Sequence, residues 1–202
     1  MTIRETQIIA CLSCVVFFSC CKISAKDEST VQNVISCEDD IDELLGKIKS
    51  GKYIDIFMAG ESFDKAIKKL YLAKNRSFDK PIGVLTDSMS KINLVVENIS
   101  SVEKELIDKF FPGNLTIIFN KKKSVSDLLT SGNSTIGVRI PNNEIALSIL
   151  KSYPYPLATT SVNLAGKKDG TRVSDFISDF KDKVDIIIDG GNYTLTFRGS
   201  NL

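Results

Sequence analysis

The sequence predicts an α/β fold. Stretches with apolar residues at helical spacing alternate with short apolar strands, and capping or turn residues mark the joins between them. A chain of 202 residues with 43% apolar and 25% charged side chains can bury one domain-sized core, and a second would have to be small.

The chain opens with an apolar run over residues 8–21, shorter than the roughly 20 apolar residues that span a bilayer. It is read as a leader, with Lys, Asp, Glu, Ser and Thr making 22–33 a linker and a domain following over 34–202. Localisation is expected to be cytoplasmic without a stable membrane span, the alternative being secretion or anchoring through 8–21. A helix over 38–49 places Ile41, Leu44, Leu45 and Ile48 on one face, and Gly51 suits the left-handed position that ends it. A strand over 53–58 follows. Phe63, Ala66, Ile67, Leu70 and Tyr71 mark a second amphipathic helix, and Pro81 precedes a strand over 82–85. Asp87 and Ser88 open a third helix. Ser100 and Glu103 form a capping-box pattern for a fourth, which Pro112-Gly113 stops before a strand over 115–119. Strand 136–140, helix 143–151, strand 157–160, helix 174–180 and strand 184–188 complete the alternation. The direction of the strands does not follow from this pattern.

Composition narrows the chemistry. Lysine and arginine number 26 against 25 acidic residues, so any basic patch is local. The chain contains no histidine, which excludes histidine triads, imidazole proton shuttles and most transition-metal sites. It also lacks tryptophan, and 8% aromatics give little material for stacking single strands. Cys11, Cys14, Cys20 and Cys21 crowd into the leader, with Cys37 alone, so they do not read as a disulfide framework. No metal site is expected.

Three constellations carry the functional signal. Lys74-Asn75-Arg76 leaves a helix toward Pro81; extended backbone there would point Lys74 and Arg76 the same way, as an anion clamp or merely as helix-terminal cations. Thr159-Thr160-Ser161-Val162-Asn163 ends a strand, where open α/β sheets bind ligands, or makes an ordinary turn. Gly137-Val138-Arg139-Ile140-Pro141 sets an arginine in an apolar strand, facing either an anion or water.

With Phe111-Pro112-Gly113-x-Leu115-Thr116, these motifs resemble, in order and spacing, the YrdC-type domain of threonylcarbamoyl-AMP synthases. The resemblance covers about residues 74–191, and 38–58 is similar to the family's opening helix and strand. It implies a single YrdC-like domain, a twisted mixed sheet covered by helices. It also implies a nucleotidyltransferase that makes threonylcarbamoyl-AMP and pyrophosphate from L-threonine, bicarbonate and ATP, for transfer onto tRNA adenosine. Mg²⁺ would be bound through the nucleotide, with tRNA or a downstream tRNA-modification complex as partner.

Carried over by residue, the resemblance implies that Lys74, Arg76, Ser161 and Asn163 form the catalytic set. Arg76, Lys80, Thr135 and Ser161 would contact ATP, with Asn163 holding the turn around its phosphate. Arg139 and Thr159 would face threonine, Arg139 pairing with its carboxylate. Histidine-free chemistry fits, because attack of a carbamate oxygen on the α-phosphate needs positioning and charge neutralisation. The chain departs from the family at three places. Ala59-Gly60 stands where a Pro-Thr-x-Thr-x-Tyr-Gly-Leu stretch is usual, Leu85 replaces a common histidine, and after Gly190-Gly191 only Ser200 echoes the family's Ser-Thr-Val segment. The competing reading is therefore a catalytically impaired relative that binds nucleotide or RNA.

Overall fold

The structure is a computed structural model that describes residues 3–10, 16–23, 34–36, 61–167, 172–181, 183 and 186–189. In chain order the elements are β1 (Ile3–Ala10), β2 (Val16–Ile23), β3 (Val34–Ser36), α1 (Glu61–Ala73), β4 (Gly83–Leu85), α2 (Met89–Val95), α3 (Ser101–Phe110), β5 (Ile117–Asn120), β6 (Thr135–Arg139), α4 (Glu144–Lys151), β7 (Leu157–Thr159), a 3₁₀ turn (Val173–Asp175), α5 (Ile177–Phe180) and β8 (Ile186–Asp189). The helix expected over 38–49 and the strand over 53–58 lie outside the described residues. The helix expected over 174–180 is divided at Phe176 into the 3₁₀ turn and α5.

Two four-stranded sheets form, in the orders β2-β1-β8-β3 and β5-β6-β4-β7. Both are mixed, as the family resemblance implied. In the first, β1 runs antiparallel to β2 and parallel to β8, which is parallel to β3. In the second, β4 is parallel to β6, and β5 and β7 add antiparallel edges. Strands β1 and β2 fall within the segment read as leader, and β1 pairs Ile8, Ile9 and Ala10 with Ile186, Ile187 and Ile188 near the other end of the chain. Backbone pairing thus crosses the expected boundary at residue 33.

The second sheet shows how alternation builds a one-sided core. Ile117, Phe119, Ile136, Val138, Val84 and Ala158 are buried, whereas Ile118, between two of them, is 60% exposed. Successive strand residues point to opposite faces, so the sheet packs one face, and the other is only partly covered, Leu85 and Leu157 being buried on it while Ile118 is exposed. The buried stripe of α1, made by Phe63, Ile67, Leu70 and Tyr71, joins the same core with Ile92 and Val95 of α2 and Ile107 of α3. Each fully buried large side chain contributes about 1.5–3 kcal/mol relative to exposure.

Helix α3 begins with the capping box that its sequence promised. Ser100 Oγ accepts from the Glu103 N–H at 3.3 Å, and Glu103 Oε2 accepts from the Ser100 N–H at 2.7 Å and its hydroxyl at 2.6 Å. The Ser100 hydroxyl, and then its backbone N–H, hold the Glu103 carboxyl below its ordinary value of 4.5. A depressed carboxyl stabilises the fold above that value and loses its contribution as pH falls through the folded one. Ser100→Ala is expected to cost about 1 kcal/mol in urea unfolding at neutral pH. The difference between the two proteins should shrink in acid, below pH 4.5, as the Glu103 carboxylate is protonated.

Candidate ligand-binding face

The open face of the second sheet is floored by two glycines. Strand β4 pairs with β6 through Val84↔Val138 and Leu85↔Arg139, which sets Gly83 beside Gly137. Gly83 pairs with Thr159 on its other side, and β5 places Ile118 opposite Gly137 and Asn120 opposite Thr135. Paired residues share a face, so Thr135, Gly137, Arg139, Gly83 and Thr159 all lie opposite the buried set. A Cβ on Gly83 would meet the Gly137 carbonyl oxygen at 3.2 Å, and one on Gly137 would meet Thr116 Cγ2 at 3.2 Å and Ile118 Cδ1 at 3.3 Å. The middle of the face is therefore bare backbone, bordered by Thr135, Thr159 and Ile118, while at the Arg139 end the paired Leu85 and Leu157 share its side of the sheet and are buried.

At the end of β7 the chain turns around a buried ammonium. Lys74 is 1% exposed, and its Nζ donates to Thr160 Oγ1 at 3.3 Å, Ser161 Oγ at 3.4 Å, Asn163 Oδ1 at 3.2 Å and, most closely, to the Ser161 carbonyl. Ser161 Oγ donates to Asn163 Oδ1 at 2.6 Å, and Asn163 Nδ2 donates to the Lys167 carbonyl at 2.7 Å. One charge thus organises the whole turn. The Ala165 N–H donates to the Lys74 carbonyl at 3.0 Å, tying the same loop to the end of α1.

The extended clamp expected at Lys74 and Arg76 is not what forms. Asn75 takes a left-handed conformation with φ of 51°, its N–H reaching the Leu72 carbonyl at 3.1 Å while the Arg76 N–H reaches that of Tyr71 at 2.9 Å. This is a Schellman ending with asparagine in the usual glycine place. It sends Lys74 inward and Arg76 to the Lys80 and Pro81 carbonyls, at 3.2 and 2.9 Å. Helix-end hydrogen bonding sets the backbone there, because the extended bias from Pro81 reaches only Lys80. Tyr71 braces that loop, its hydroxyl donating to the Lys80 carbonyl at 2.8 Å and lying 3.3 Å from Ser131 Oγ. Lys80 itself is exposed. The cations also have an exposed acidic neighbour: the Ser77 hydroxyl, with smaller help from its own backbone, Lys80 and Arg76, holds the Asp79 carboxyl below its ordinary range.

Arg139 occupies the opposite end of β6, half-buried. Its Nε donates to the Gly113 carbonyl at 2.7 Å and its Nη2 to Asn114 Oδ1 at 2.9 Å. Gly113 is required there, because a Cβ would stand 2.3 Å from the Phe110 carbonyl oxygen, and its N–H binds the Ile140 carbonyl at 2.9 Å. Among the described residues no carboxylate pairs with Arg139.

Register places these residues at two ends of one face. Because β7 runs antiparallel to β4, its carboxyl end lies beside the amino ends of β4 and β6. Arg76 and Lys80, which precede β4, then share an end with Thr135 and Ser161, while Arg139 lies at the other. Thr159 sits level with the glycines between them. Neither the role of the Gly113-Asn114 turn nor the Tyr71 brace was anticipated; the Pro-Gly pair was the signal for the first. The Lys121-Lys122-Lys123 run is no free basic patch, since Lys121 pairs with Asp127 at 2.8 Å and Lys122 donates to the Asn93 carbonyl at 2.6 Å.

A family model covering Sua5, YciO and YrdC proteins, described as "Telomere recombination", matches residues 57–198, well over half of the chain. The chain belongs to the Sua5/YciO/YrdC family. Among relatives, it is 33% identical over 128 residues to threonylcarbamoyl-AMP synthase of Pyrococcus abyssi, covering 63% of this chain and 38% of that protein. A putative threonylcarbamoyl-AMP synthase of Methanocaldococcus jannaschii is 38% identical over 130 residues, covering 63% of this chain and 59% of its own length. This member of the family thus aligns with less than two thirds of either relative. Its fold is similar to that of P. abyssi Sua5 solved with L-threonine, with a TM-score of 0.65 at 23% identity over 93% of this chain and 44% of that one. Escherichia coli YciO gives 0.63 at 22% identity, over 80% and 84%. Among the described residues, this Sua5/YciO/YrdC chain has no helix long and apolar enough to cross a membrane.

Lys74→Met retains an apolar stem and removes the ammonium, leaving oxygens of the 160–163 turn without their donor. It should cost about 1–3 kcal/mol in denaturant unfolding, the scale for unsatisfied buried polar groups. Arg76→Ala releases only the Lys80 and Pro81 carbonyls at the surface and should change stability by less than about 1 kcal/mol.

Proposed function

We propose that the chain carries the adenylating domain of a threonylcarbamoyl-AMP synthase, joining L-threonine, bicarbonate and ATP into threonylcarbamoyl-AMP with release of pyrophosphate. The observation that carries this reading is the separation along β6. Thr135 lies at the end where Arg76, Lys80 and the Lys74-bound turn gather, and Arg139 lies four residues further on, about 13 Å of strand. That length accommodates an amino-acid carbamate beside a phosphate. Identities of 33% and 38% to a protein named for this activity and to one named putatively for it support the same reading.

In this reading Arg76, Lys80, Thr135 and Ser161 bind ATP at one end, and Arg139 binds the threonine carboxylate at the other with Thr159 beside the amino acid. The threonine amine attacks the carbon of bicarbonate, a C–O bond breaks and water leaves, giving a carbamate. A carbamate oxygen then attacks the α-phosphorus, and the bond to the β,γ-diphosphate breaks, releasing pyrophosphate. Lys74 keeps the Ser161 and Asn163 side chains in place around the phosphate, and the cations offset the charge of the leaving group. Among the described residues no three His, Cys, Asp or Glu groups cluster to hold a metal. Hydroxyls and cations suit phosphate rather than a metal cage, so Mg²⁺ would ride on the nucleotide and supply further charge neutralisation there. The product would pass its threonylcarbamoyl group to tRNA adenosine, directly or through a downstream tRNA-modification complex, most naturally in the cytoplasm.

One observation favours the second reading, a relative that binds nucleotide or RNA without turnover. Helix α1 begins at Glu61, directly after Ala59-Gly60, where the family pattern would place its Pro-Thr-x-Thr-x-Tyr-Gly-Leu stretch. Pyrophosphate release measured with each substrate omitted in turn separates the two. Release that needs both threonine and bicarbonate supports the synthase, and ATP binding without such release supports the module. Calorimetry should show ATP affinity reduced by about 1–3 kcal/mol in Arg76→Ala and in Ser161→Ala, the scale of a hydrogen bond to a charged group. Unchanged ATP affinity in both would remove the nucleotide from this end of the face.

A further inference from the structure

The Gly113-Asn114 turn does more to Arg139 than bind it. A guanidinium has five N–H donors on two usable edges: a side edge made by Nε and the nearer Nη2 hydrogen, and an end edge made by Nη1 and Nη2. The Gly113 carbonyl takes Nε at 2.7 Å, and Asn114 Oδ1 takes Nη2 at 2.9 Å. Those two acceptors, one residue apart, occupy the side edge. Among the described residues no acceptor is recorded on the end edge. Gly113 is itself tied to the end of β6, its N–H donating to the Ile140 carbonyl at 2.9 Å.

We propose that Asn114 is a positioning residue that fixes the plane of the Arg139 guanidinium, so that its end edge is presented to the substrate carboxylate. This rests on the reading of Arg139 as the carboxylate partner and adds to it which edge binds and what aims it. A neutral amide suits this task. It accepts one hydrogen bond without cancelling the charge, whereas an aspartate there would pair with the arginine and compete with the incoming carboxylate. The peptide carbonyl of Gly113 shares that property.

The test is calorimetric titration of the full chain with L-threonine, with L-threoninol, which lacks the carboxylate, and with ATP. In Asn114→Ala the plane is released, and threonine affinity should fall about 10-fold. In the isosteric Asn114→Asp it should fall further, because the new carboxylate occupies the arginine. Threoninol and ATP should bind both variants as they bind the unaltered chain, and melting should not move, which a merely structural role would not produce. Arg139→Ala separates the layers of inference. If it abolishes threonine binding while both Asn114 variants bind normally, Arg139 keeps its role and Asn114 positions nothing. If Arg139→Ala binds threonine normally, or the unaltered chain binds none, the carboxylate seat itself is refuted.

Discussion

The buried ammonium of Lys74 is the interaction on which the site depends. It reaches from the residue just after α1 into the turn after β7, nearly ninety positions later, and binds hydroxyl, carbonyl and amide oxygens there. An ammonium taken out of water is costly unless it is surrounded by acceptors, and a turn of several polar groups is poorly ordered unless something draws its oxygens together. Each solves the other's problem. The pairing also fixes where α1 ends relative to β7, so the Arg76–Pro81 loop enters β4 next to the Ser161 turn.

The sheet supplies the second constraint. One face must be apolar to form the core with α1, α2 and α3, and the other is then available for chemistry. What makes that face a trough is the adjacency of Gly83 and Gly137 across a parallel pair of strands. Any side chain at either position would crowd the neighbouring strand and fill the floor. The polar residues of the face stand on either side of this gap, and their separation is set by strand rise rather than by loop conformation. Strands therefore carry Thr135 and Arg139, while hydrogen-bonded turns carry Arg76, Ser161 and Asn163.

Arg139 and Arg76 show two ways of holding a cation half in water. Arg139 leans on a peptide carbonyl and an amide, which leave its charge intact for a ligand. Arg76 leans on two carbonyls of its own loop, with Asp79 close in sequence between it and Lys80. The first is a rigid seat at a strand end. The second is a surface loop whose charge balance includes an exposed carboxylate, which relieves the repulsion between Arg76 and Lys80.

Sequence by itself determined the elements whose signals are local. The Ser100–Glu103 box, the apolar stripe of α1 and the Pro-Gly stop after α3 all depend on neighbours within a turn or two, and all were legible; the outward turn of Ile118 was not, because Ile117, Ile118 and Phe119 are all apolar. Motif order also marked the residues that the structure gathers at the two ends of the face. Tertiary structure alone decided how those residues are presented. The end of α1 adopted a left-handed Asn75 instead of extended backbone, which satisfies its last carbonyls, and the preference set by Pro81 bears only on Lys80. The carboxyl end of β7 joined the amino ends of β4 and β6, because an antiparallel edge reverses the rule that holds for parallel sheets. Likewise, Lys74 lies inside and Gly83 beside Gly137 only through contacts across 50 to 90 residues of chain. Such contacts are set by packing and register, which local residue patterns do not encode.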